Sequence, residues 1–160
     1  MTISTTMTTN TNLYPSIWTP ALGQLGLADA QFDGNGEFSF ALEHRYLVHC
    51  ILSPRHLVLR VRIGTLTDIA QEQRNDVMQR FLQLVTAHAR ERREAPSLSP
   101  DGRTILLQRW FPNEMASNPT AFVLSFDVFV DAFFTWKEWW QRNVVNTTRD
   151  RNPNHLRPGL

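Results

Sequence analysis

Residues 37–63 constrain the fold more than any other stretch, because a two-residue hydrophobic period runs through them with only short polar breaks. Phe38, Phe40 and Leu42 alternate with Glu37, Ser39 and Glu43. Successive side chains of a strand point to opposite faces, so this alternation describes a half-buried strand. His44-Arg45 separates it from Tyr46–Leu52, a second apolar-rich strand, and Ser53-Pro54-Arg55 separates that from His56–Ile63. In the last run Leu57, Leu59, Val61 and Ile63 face one way, while His56, Arg60 and Arg62 face the other. Connections this short join antiparallel neighbours, so the runs form a meander. Arg60, Arg62 and His56 then share one sheet face, either as a partner-facing patch or as a solvated surface.

The flanks add helices. Ser16–Leu25 reads as a short helix with Pro15 or Pro20 in its first turn and Leu22, Leu25 and Leu27 on its apolar side. Asp33-Gly34-Asn35-Gly36 is a turn signal; it lacks the in-register glutamate of a calcium loop, since Glu37 comes too soon. Thr67 or Asp68 caps a second helix carrying Ile69, Val77, Met78, Phe81, Leu82, Leu84 and Val85 at helical spacing through about Ala89. Arg90, Arg92 and Arg93 fall at its C-terminal end, and Ala95-Pro96 stops it. Ser99-Pro100-Asp101-Gly102 turns a short strand near Ser97 into a longer one, Arg103–Phe111. Asn118-Pro119 then opens a final helix to about Val144, rich in Phe and Trp. Its β-branched and aromatic content favours strand, but its length and interspersed charges favour helix. The order α-β-β-β-α-β-β-α is that of an α+β fold, an antiparallel sheet with helices packed on one side.

The 160 residues suit one domain. Residues 1–13 read as an unstructured N-terminus, 14–145 as a single domain and 146–160 as a disordered basic tail. Met1–Asn12 has neither charge nor an apolar stretch of the signal-peptide kind, and no apolar run approaches the ~20 residues of a membrane span. The last 20 residues carry Arg142, Arg149, Arg151 and Arg157 against Asp150, whereas residues 1–140 carry 12 basic and 14 acidic groups. A mildly acidic body argues against nucleic acid as a partner. The single cysteine, Cys50, excludes an intrachain disulfide and reads as a small core residue. His44, His49 and His56 lie near one hairpin, but strand alternation splits His44 from His49 and no acidic or cysteine partner has ligand spacing. No nucleophile motif or phosphate loop is present. The chain is therefore expected to be no enzyme, with no metal and no cofactor.

Leu22-Gly23-Gln24-Leu25-Gly26-Leu27, then Phe32-Asp33-Gly34-Asn35-Gly36 and the alternating strand, resembles the start of class I type III secretion chaperones, the Tir-chaperone/YopE-chaperone type. The meander, the amphipathic helix, the Ser99–Gly102 hairpin and the aromatic helix with Trp136, Trp139 and Trp140 continue the resemblance over about Ala21–Asn143. It implies a cytoplasmic bacterial homodimer without enzymatic activity that holds the N-terminal segment of secreted effectors in extended form. It also implies delivery to the secretion apparatus, with the apparatus ATPase as a further contact. By position it assigns Leu22, Leu25, Leu27, Phe38 and Phe40 to effector grooves, and Val77, Phe81, Leu106 and Trp110 to the dimer interface. Charged residues at Leu25 and Phe40 are then expected to weaken client binding without unfolding the dimer. The other reading of the same fold is a regulatory or adaptor module for a folded partner.

Overall fold

The computed structural model describes residues 3–5, 16–89 and 94–145. The meander forms as the alternation requires: β2 (Glu37–Leu42), β3 (Tyr46–Leu52) and β4 (His56–Thr65) pair antiparallel. The register sets Phe38 against Cys50 and Cys50 against Leu59, so all three project to one face and are buried there. After helix α2 (Arg74–Ala89), strand β5 (Ala95–Leu98) lies at the far edge and β6 (Thr104–Pro112) returns between β5 and β4. Pro96 thus sits inside an edge strand, where its missing N–H disrupts no central ladder.

Residues 1–13 do not all lack structure. Ile3–Thr5 forms β1, which pairs antiparallel with β2 and makes the sheet six-stranded, in the order β1-β2-β3-β4-β6-β5. Ile3 packs on the core. The rest of that segment, the tail 146–160 and Arg90, Arg92 and Arg93 lie outside the described residues.

The turns follow side-chain chemistry. One Asp33 carboxylate oxygen accepts from the Asn35 and Glu37 amides, both at 2.9 Å, and Gly36 takes φ 75°, so the carboxylate closes a turn. Between β2 and β3, the three residues Glu43, His44 and Arg45 form the hairpin turn, and Glu43 and His44 both adopt positive φ, 50° and 58°, without a glycine.

Helix α3 (Pro119–Trp140) starts at Asn118, whose side chain accepts from the Ala121 amide at 3.1 Å, with Pro119 at the first helical position. Phe122, Phe126, Phe129, Phe133, Trp136 and Trp140 recur every three or four residues and are buried. Phe122 meets Phe111 edge-on at 5.1 Å between centroids, Phe126 lies 6.2 Å from Phe40, and Phe133 meets Tyr46 at 5.1 Å. Each such ring contributes roughly 1.5–3 kcal/mol by leaving water. The helix is long and apolar enough to cross a bilayer, but this aromatic stripe lies against the sheet.

Helix α1 (Thr19–Gln24) packs beside α3, and Trp18 ahead of it is fully buried, its indole donating to Asn113 Oδ1 at 3.3 Å. The helices all pack on one side, so the architecture is the expected α+β. On that side Glu94 and Arg109 form a buried ion pair beside the β5 edge, with the Arg109 guanidinium 5.2 Å from the Phe111 ring centroid.

Candidate functional site

The residues assigned to an effector groove are mostly core. Leu22, Leu27, Phe38 and Phe40 are buried, Phe40 completely, and only Leu25 is half-buried. The physical reason is the α1–α3 cover: the face that the strand alternation marks as apolar is the one the helices close. A charge at Phe40 would enter the core between Phe38 and Phe126, so it would unfold the chain rather than spare it. The interface candidates also divide. Phe81 is buried against Trp136, Trp139 and Trp140, at 5.5–6.0 Å, whereas Val77 and Leu106 are half-buried and Trp110 is 60% exposed.

Two open surfaces stand out among the described residues. The first is the outer side of α2. Phe81 is the one fully buried residue among its 16, while Leu82 on the outer side is 56% exposed. Met78, Leu82 and Ala87 line a shallow groove there, rimmed by Asn75, Gln79 and Gln83.

The second is the face of the sheet opposite the helices. A polar row crosses it: Ser39 Oγ lies 2.9 Å from His49 Nδ1, His49 stands opposite Arg60, Arg60 donates twice to Gln108 Oε1, and Gln108 donates to Ser97 Oγ at 2.7 Å. Beside this row, Leu47 on β3 and Leu106 on β6 offer apolar surface; Leu47 is 46% exposed. At one end the Arg45 guanidinium lies 4.6 Å from the Tyr46 ring centroid and Lys137 Nζ lies 5.9 Å from it. Lys137 reaches this site from α3 and donates to the Ile63 carbonyl at 2.6 Å. Burial lowers the pKa of its amine, the Arg62 and Arg45 guanidinium groups lower it further, and Asp68 opposes them. The result is a groove of about 760 Å³ that combines apolar walls with a basic end.

Sequence alternation does find Arg60 and Arg62 on this face with His56, whose ring meets Trp110 edge-on at 5.5 Å. It misses Arg45 and Lys137, which the β2–β3 turn and the last turns of α3 bring to the same place. The single lysine among 16 basic residues was the only local signal.

No family model and no curated protein matches the chain. Solved structures do. A chain of the HopA1-SchA chaperone-effector complex aligns with TM-score 0.55 at 13% identity, covering 76% of this chain and 91% of that one. A chain of the ExsC-ExsE complex aligns with TM-score 0.55 at 15% identity, covering 80% and 90%. The Yersinia pestis type III secretion chaperone SycH, in complex with a stable fragment of YscM2, aligns less well, with TM-score 0.48, 17% identity and coverage of 75% and 96%. The antiparallel sheet with helices packed on one side is a class I type III secretion chaperone-like fold.

Proposed function

We infer that the chain is a type III secretion chaperone that binds the N-terminal region of secreted effectors, keeps it extended and delivers it to the secretion apparatus. The observation that carries this reading is the sheet face left uncovered by the helices, in a fold shared with a chaperone-effector complex. Apolar burial supplies affinity there, and an extended client exposes both its side chains and its backbone to such a surface. The protein works as a homodimer in the bacterial cytoplasm without catalysis, and the outer side of α2, with Met78 and Leu82, is the face that a second copy covers.

Affinity purification from the native host, followed by mass spectrometry, tests the reading. Secreted proteins retained through their N-terminal segments support it, and their number separates a dedicated chaperone from a broad one. Recovery of folded regulators alone replaces it with an adaptor role.

A further inference from the structure

We propose that the open sheet face selects an acidic, extended client segment, whose carboxylates meet Arg45, Arg62 and Lys137 while its apolar side chains lie on Leu47 and Leu106. The inference deepens the chaperone reading and rests on it. Its ground is an excess of basic over acidic side chains in the groove. Arg45, Arg62 and Lys137 line the same groove, with Arg45 4.6 Å and Lys137 5.9 Å from the Tyr46 ring centroid, and none of them is in an ion pair among the described residues.

The groove also holds the carboxylates of Glu37 and Asp101, but its basic groups Arg45, Arg60, Arg62 and Lys137 outnumber them, and several acids around it are engaged elsewhere. Asp68 accepts from Thr65 and Trp140, Asp101 from Ser99 and the Arg103 amide, and Glu138 pairs with Arg142. Arg60 is held by Gln108 and fixes the middle of the groove. Like charges left together repel, and an incoming carboxylate relieves that repulsion while gaining charge-assisted hydrogen bonds. The Leu47 and Leu106 walls distinguish this groove from a nucleic-acid site, where bases stack on exposed aromatic platforms along a basic track; the exposed Trp110 ring on the same face does not line the groove. Here the Tyr46 ring is half-buried between Arg45, Lys137, Phe133 and Phe134. A strand laid along the groove presents alternate side chains to the sheet, so an alternating acidic–apolar sequence matches it.

The test uses the full chain and fluorescence anisotropy with short labelled peptides alternating Glu with Leu or Gln with Leu, and a labelled single-stranded oligonucleotide. The Glu–Leu peptide is expected to bind about tenfold more tightly than the Gln–Leu peptide at low salt, and to lose that preference as salt rises. The double variant Arg45→Glu with Arg62→Glu changes two exposed side chains, so it should keep its circular dichroism and urea midpoint while losing the preference. Equal binding of both peptides, or an unchanged preference in the double variant, overturns the proposal. So does tighter binding of the oligonucleotide that the same variant abolishes. Co-purification of native clients decides the chaperone reading separately. Clients recovered without acidic preference remove only the charge selectivity, and acidic preference without effector clients removes only the chaperone role.

Discussion

Gly64 stands where the Trp140 indole packs against β4. A Cβ added there would fall 2.2 Å from Trp140 Nε1 and 2.3 Å from Cε2, far inside contact distance. Trp140 is only 1% exposed and cannot swing away, so Gly64→Ala should cost about 1–3 kcal/mol, read as a lower urea midpoint. The same indole donates to Asp68 Oδ2 at 3.2 Å, and Asp68 also accepts from the Thr65 amide and hydroxyl. Burial alone would raise the pKa of this carboxyl, but the hydrogen bonds from Thr65 and Trp140, with Lys137 nearby, outweigh it and hold it below the ordinary carboxylate range. A depressed carboxyl stabilises the fold while ionised. Its contribution is complete above the ordinary carboxylate range and is lost as the pH falls through the lowered folded-state value. Asp68→Asn should therefore lower stability at neutral pH and flatten the acid limb of a stability-versus-pH curve.

At the scale of the element, α2 differs from α3. Helix α3 carries a buried aromatic stripe along its length, whereas α2 fully buries only Phe81, buries Val77, Met78, Leu84 and Val85 in part, and leaves Leu82 in water. For the homodimer proposed above, Leu82→Glu should leave the far-ultraviolet spectrum unchanged and raise the dissociation constant at least about tenfold by sedimentation equilibrium, since it sets a charge in an apolar contact. Unchanged dimerisation would remove α2 from the interface.

The meander was legible because a period of two with one buried face admits a single register. The final helix was legible from Asn118-Pro119 and its length. The start of α2 was not. Thr65 and Asp68 do form a reciprocal cap, but it closes a single 3₁₀ turn, Leu66–Asp68. Ile69 then runs extended into the core, a second 3₁₀ turn covers Gln71–Gln73, and the helix begins only at Arg74. A cap is a local signal, whereas the Asp68–Trp140 contact spans 72 positions. Strand β1 was hidden for the same reason, as three residues show no alternation and pair only because β2 offers an edge. Apolar residues such as Leu22 and Phe40 declare burial against something; which partner does the burying, the chain itself or a client, is set by where α1 and α3 come to rest.

Taken whole, the molecule closes one side of its sheet and leaves the other available. The helices and inner face form a self-sufficient core from Trp18 to Val144, so occupation of the outer face asks for no rearrangement of that core. Cys50 lies in the middle of it, fully buried, with its thiol pKa pushed well above the ordinary value by burial. A thiol in that setting reacts only when the strands part, because the reagent needs both access and a thiolate. The folded protein should resist a maleimide for as long as it stays closed, and the slow modification that does occur should report the frequency of opening. A client held by the folded state should lengthen that waiting time by the factor with which it stabilises the fold. The chain's lone sulfhydryl is thus a built-in clock, by which occupancy of the outer face can be timed from the opposite side of the sheet without attaching any label to the client.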